Sequence, residues 1–172
     1  MNALELNFKG KKFSPEEWPT DANGKSVLAS MSPDVIKALF ELRESVPDDC
    51  FIIPSPLVRA HVRNESTGSR HSLKGGKRLS DATDFYVPRK YAHLAWLQAM
   101  NHPHIGGVGI YQHSFLNGNY DGYTMLHIDT RPKSEASCWV ASRNSSNESF
   151  QYISINNPKE MFAAMAKEGI FG

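Results

Sequence analysis

The 172-residue sequence predicts an α+β domain, and three observations lead there. A capped apolar stripe beginning at Ser32 reads as an amphipathic helix. Residues 123–129 alternate in polarity and read as a strand. Between them lie short β-type segments punctuated by Pro, Gly and Asn, the pattern of a small sheet with a few flanking helices. A chain of this length is most simply a single domain over 1–172, long enough to bury a real core.

The elements follow in order. Residues 1–30 mix charge with Pro and Gly and read as an extended N-terminal arm, with a turn at Asn23-Gly24. Ser32 is a good N-cap, Pro33 suits the first helical position, and Asp34 complements the positive helix end. Val35, Ile36, Leu39, Phe40 and Arg43 recur at helical spacing, and the helix should stop near Val46, before Pro47. Phe51-Ile52-Ile53 reads as a short buried strand closed by Pro54. Residues 61–80 are polar and irregular, too polar for core, and long polar loops in compact domains are more often functional than accidental. Asp84-Phe85-Tyr86-Val87 predicts a strand. Pro88 opens a second helix to about Met100, with Tyr91, Leu94, Ala95 and Leu97 or Gln98 toward the core. The stretches 106–111 and 123–129 read as an antiparallel pair across a turn-rich loop at 117–122. A Ser-rich surface loop at 142–149 precedes a last helix over 158–167, capped by Gly169.

Composition narrows the function classes. Hydrophobic content of 40% and charged content of 22% are ordinary for a globular protein. With 19 basic and 18 acidic residues the formal net charge is +1, so no basic excess argues for a nucleic-acid partner. No apolar run approaches the ~20 residues that cross a bilayer, so membrane insertion is not expected. The first eight residues lack a basic stretch followed by an apolar core, so the expectation is a chain without a secretory signal, cytoplasmic as synthesised. Cys50 and Cys138 form no Cys-x-x-Cys pair and read as two reduced thiols, with a disulfide between them as the alternative.

Three side chains carry the chemistry. His71, Asp84 and His127 offer two imidazoles and one carboxylate, the three-ligand set of a catalytic zinc site with a fourth position for water. Each also has a plainer reading. His71 sits at the rim of a polar loop, where surface histidines are common. Asp84 can simply cap a strand. His127 can be an incidental residue on a polar strand face. Period-2 alternation puts Met125, His127, Asp129 and Arg131 on one side of their strand, with Leu126 and Ile128 on the other. Tyr111, Tyr120, Tyr123 and Trp139 either line a groove or belong to the core. His102 and His104 flank Pro103 after a helix and read as helix-end residues. His93 and His61 read as structural or exposed.

Ser69-Arg70-His71, Ala82-Thr83-Asp84-Phe85, Gly106 to Tyr111, His127-Ile128-Asp129-Thr130-Arg131 and then Trp139 form an ordered series. Over residues 50–140 this series resembles the M15 zinc peptidases: D-alanyl-D-alanine carboxypeptidases and related cell-wall endopeptidases, including many phage endolysins. The resemblance implies the Hedgehog/DD-peptidase fold, in which a small antiparallel sheet carries the metal and helices flank it. It implies zinc as cofactor, His71, Asp84 and His127 as its ligands, and bacterial peptidoglycan stem peptides as substrate. It also implies an arginine that steadies the substrate carbonyl. Arg59 is the best match, with Arg63 as a rival. Arg131 and Tyr111 are the expected substrate-binding residues.

Two departures stand out. The commoner family form has a shorter spacing between the first His and the Asp, whereas here Ser72 to Thr83 intervene. Many members carry a catalytic Glu three residues before the last His, where this chain has Thr124. The proton-transfer role then passes to Asp129, beside His127, with His113 as the alternative. The expectation is a zinc-dependent peptidase of phage or prophage origin, acting on the cell wall after release or from the virion. A non-catalytic zinc-containing structural or wall-binding module of a phage particle is the other reading.

Overall fold

A computed structural model describes residues 13–65, 68–111, 122–142 and 149–155, with positions 159, 160, 163 and 166 near the C-terminus, all four helical. The expected loops at 117–122 and 142–149, the alternative base His113 and Tyr120 lie wholly or mostly outside the described residues, as does most of the last helix.

Among the described residues, helices α1 (Pro33–Ser45) and α2 (Ala92–Asn101) and six strands make the frame. Helix α1 (Pro33–Ser45) begins where its cap predicts: the Ser32 hydroxyl accepts the Asp34 N–H at 3.2 Å, and Pro33 fills the first position. Its buried stripe comprises Val35, Ile36, Ala38, Leu39, Phe40 and Leu42. Arg43 leaves this stripe to lie 4.1 Å over the Phe13 ring and to pair with Glu17. Helix α2 (Ala92–Asn101) follows a 3-10 turn at Arg89–Tyr91. Its buried face is Ala92, Ala95, Trp96 and Ala99, whereas Leu94, Leu97 and Gln98 are half-buried. The face is thus rotated from the expected one, because the bulk of Trp96 claims the centre of the contact.

The sheet runs β1 (Ile53–Pro54), β2 (Ala82–Pro88), β4 (Tyr123–Asp129), β3 (Gly107–Tyr111), β5 (Ser137–Ser142), β6 (Gln151–Ser154) in spatial order. β3 and β4 pair antiparallel as expected. The sheet as a whole is mixed rather than antiparallel, since β3 and β5 are parallel. The α+β class holds. The expected strand at 51–53 shrinks to two residues, with Phe51 turned out at 55% exposure and only Ile52 fully buried.

Alternation divides the sheet into two faces. Phe85, Val87, Val108, Ile110, Leu126, Ile128 and Val140 point to one side and join the helices in the hydrophobic cluster. The other face carries Asp84, Tyr86, His127, Asp129, Trp139 and the glycines of β3. Two expectations about the loops are corrected here. Residues 13–30 are not an extended arm. Phe13, Trp18, Val27 and Leu28 are buried in the core, and the segment folds through 3-10 turns at Pro15–Glu17 and Val27–Ser30. The turn at Asn23-Gly24 is present, with Gly24 at φ +74 and the Asp21 carboxylate accepting the Asn23 and Lys25 N–H groups. The polar segment 61–80 is not all surface either: His61, His71, Ser72 and Ser80 are buried. Arg78 makes that possible by donating to the carbonyls of Ser72, Ser69 and Arg70, which satisfies backbone that burial strips of water. Both cysteines are free thiols.

Candidate metal centre

Asp84 and His127 are direct cross-strand partners on β2 and β4. Opposed residues on one face have their side chains in reach of each other, and His127 Nδ1 lies 2.8 Å from Asp84 Oδ1. His71 arrives from the loop held by Arg78. Its Nε2 lies 3.2 Å from His127 Nδ1 and 3.5 Å from Asp84 Oδ1. The two rings meet edge-on, with centroids 5.0 Å apart and planes at 75°. All three side chains are buried and their ligating atoms converge, so the group can hold a metal ion.

The spacing can be tested against zinc. Bonds of about 2.0–2.1 Å in a tetrahedron put ligand atoms roughly 3.3 Å apart. The observed edges of 2.8, 3.2 and 3.5 Å bracket that value. The donor set of two imidazoles and a carboxylate also suits zinc. The residues present therefore fit the ion. His71 Nδ1 is buried without a hydrogen-bond partner among the described residues.

Behind His127 stands a second layer. Its Nε2 faces Asp129 Oδ2 at 3.2 Å, which leaves Nδ1 for the metal side. Arg131 grips the same carboxylate with Nε to Oδ1 at 2.7 Å, Nη2 to Oδ2 at 2.6 Å and its backbone N–H to Oδ1 at 3.1 Å. Burial alone would raise the Asp129 pKa, but the bonds from Arg131 and His127 outweigh it and hold the carboxyl well below the usual carboxylate range. Asp84 is likewise held low: the His71 charge and the His127 hydrogen bond overcome its burial. Burial would push His127 down, yet its bonds to Asp129 and Asp84 win and raise it to about 9.

Strand β3 makes room for this arrangement. Gly107 pairs with Asp129, and Gly109 pairs with His127 on one side and Trp139 on the other. A Cβ on Gly107 would collide with the Asp129 carboxylate, and one on Gly109 would come within 2.6 Å of Trp139 Cζ2. The glycines thus form a trough in the sheet. The Trp139 indole lies across it, 5.0 Å from the His127 ring, with the Arg131 guanidinium 5.8 Å from the indole centroid.

The structure brings together His71, Asp84, His127, Asp129 and Arg131, with Tyr111 on the same face one row along. It does not bring Arg59 to them. That guanidinium pairs with Glu65 at 3.0 Å, with its side chain 71% exposed, and Arg63 donates to the Arg59 carbonyl. Asp129 sits beside His127 as alternation predicts, but both its oxygens are engaged, so its place is behind the His127 ring. Thr124 is an odd number of residues from His127 and points to the helix-packed face. His102 caps α2 and pairs with Glu41 at 3.1 Å, which removes the apparent His102/His104 metal pair. His61 is fully buried between the Ser55 carbonyl and the Thr83 hydroxyl, and burial pushes its pKa down to about 4.

Phe150 and Tyr152 escaped the sequence reading. They stand near-perpendicular to Tyr111, with centroids 5.1 and 6.2 Å away. Their only local signal is an aromatic alternation at the start of the four-residue strand β6, which holds Tyr152 but not Phe150 and is too short to assign a face. No family model, curated protein or solved structure matches this chain.

Proposed function

We propose that this chain is a zinc-dependent peptidase that hydrolyses D-amino-acid-containing amide bonds in peptidoglycan stem peptides, with the Hedgehog/DD-peptidase architecture. The observation that carries the reading is the convergence of His71 Nε2, Asp84 Oδ1 and His127 Nδ1 at tetrahedral spacing. A closed structural site would use four protein ligands, whereas three are the stoichiometry of catalysis. The substrate class rests on the ordered motifs from Ser69 to Trp139.

A zinc ion held there supplies Lewis-acid polarisation of a carbonyl and a nucleophile near neutral pH. The chain's own residues do the rest. Asp129 accepts the His127 Nε2 proton and so fixes which nitrogen faces the metal. Arg131 anchors Asp129 and keeps it ionised. Trp139, reaching across Gly109, packs its indole against the His127 ring and limits how that ring can turn.

The test is incubation of zinc-loaded protein with purified peptidoglycan, read by mass spectrometry for new amino ends or released D-alanine. The expected result is cleavage that disappears in His127→Ala. Thr124 in place of Glu, and Arg59 paired away with Glu65, favour a second reading as a non-catalytic zinc module. Full zinc occupancy with no cleavage would select that reading.

A further inference from the structure

Amide hydrolysis places negative charge on the carbonyl oxygen as water adds to the carbon, and fixed donors aimed at that oxygen are a large source of rate. The arginine expected for the task is elsewhere, and Arg131 is committed to Asp129. The site face nevertheless holds two donors that the metal centre does not use.

The first is the Trp139 indole N–H. One register row crosses the sheet through Asp84, His127, Gly109 and Trp139. Because Gly109 has no side chain, the indole reaches over β3 to the His127 ring. Its nitrogen is buried and has no hydrogen-bond partner among the described residues. An indole N–H can only donate, and a buried donor without an acceptor is costly, so the position calls for an acceptor brought by a ligand. The second is Tyr111, in the next row of the same face, with Met125, Ala141 and Tyr152. Burial, then the nearby Asp84 charge, push its pKa far up, so the phenol keeps its proton. The indole N–H and the Tyr152 hydroxyl both act on the Tyr111 hydroxyl through their hydrogen-bonding groups, the indole contact being too loose to close a hydrogen bond, so a carbonyl oxygen would compete with these contacts for the two donors. The rings of Phe150 and Tyr152 stand perpendicular to the phenol ring.

We propose that the Trp139 N–H and the Tyr111 O–H form a paired donor site for the substrate carbonyl oxygen, in place of an arginine. This rests on the hydrolase reading. The oxygen would lie between the two groups, on the His127 side of the trough, and its charge would be met by neutral donors that need no counterion.

The experiment compares Tyr111→Phe, and Trp139 replaced by 3-benzothienylalanine, with the wild type. Both changes keep the ring and delete the donor. Zinc content and thermal melting report folding, steady-state kinetics on a stem peptide report kcat and KM, and calorimetry reports binding of a phosphinate analogue of the same peptide. The expected result is a fall in kcat of about 10²–10³-fold per donor, KM within about 3-fold, zinc unchanged, and phosphinate affinity falling in parallel. Wild-type kcat in either variant, or lost activity explained by lost zinc, overturns the donor pair alone. An inactive wild type at full zinc occupancy overturns the hydrolase reading and this inference with it. Trp139→Phe gives a second check on the indole: it should resemble the benzothienyl variant in kcat.

Discussion

Zinc binding to the metal-free protein should expel about one proton near pH 7.5, and the reason lies in how His127 is held. With no ion present, its Nδ1 faces Asp84 and its Nε2 faces Asp129. Burial opposes a charge on the ring, but the two carboxylates prevail and raise its pKa to about 9. Below that pH the ring carries a proton on both nitrogens, and a protonated nitrogen cannot ligate a metal. The sign follows directly. Zinc competes with a proton for Nδ1, so apparent affinity should climb about tenfold per pH unit up to pH 9 and then level. Between pH 7 and the plateau this amounts to roughly 100-fold, or about 2.7 kcal/mol at 1.36 kcal/mol per pKa unit. Calorimetric zinc titration at one pH, in two buffers of different ionisation enthalpy, counts the protons released. A chelator competition series from about pH 6.5 to 8.5 gives the slope. No proton released near pH 7.5, together with a flat affinity profile, would refute the carboxylate-clamped imidazolium. Asp129→Asn should lower the slope at neutral pH and weaken the plateau affinity by about 10–100-fold, since it removes the group that orients the ring.

Three further outcomes are expected. The metal-free protein should be most stable near pH 6.5: the His61 contribution, with a folded pKa depressed to about 4, is lost as pH falls from about 6.5 to 4, whereas that of His127, raised to about 9, is lost as pH rises from about 6.5 to 9. Each limb is worth about 3 kcal/mol, and urea denaturation that instead changes monotonically from about pH 4.5 to 8.5 contradicts it. Gly109→Ala should cost about 1–3 kcal/mol in thermal melting and displace the indole, because its Cβ would overlap Trp139, whereas Gly68→Ala, in open space, should change little. Arg59→Ala should leave cleavage within about 3-fold and stability within the ~0–1 kcal/mol of an exposed ion pair, and a loss of activity beyond about tenfold would place Arg59 at the substrate after all.

Local structure was legible where adjacent residues decide it. The cap at Ser32-Pro33, the stop before Pro47 and the turn at Gly24 all depend on groups within four residues of each other. Strand β4 was legible because alternation is a period-2 signal, and it correctly grouped His127, Asp129 and Arg131 on one face. The α2 face was misjudged because which residues of a helix are buried depends on its partner, not on its own period. Arg59 could not be placed because Glu65 competes for it.

By itself the sequence determined the residue types that can ligate a metal and the faces of the strands that carry them, since side-chain chemistry and backbone alternation are properties of short segments. Only the tertiary structure decided that His71 is buried rather than on a loop surface, that Asp129 is clamped by Arg131, and that Trp139 crosses Gly109 to reach His127. Those outcomes depend on Arg78 satisfying three carbonyls and on β5 pairing parallel to β3, contacts whose free energy appears only once distant segments have been brought together.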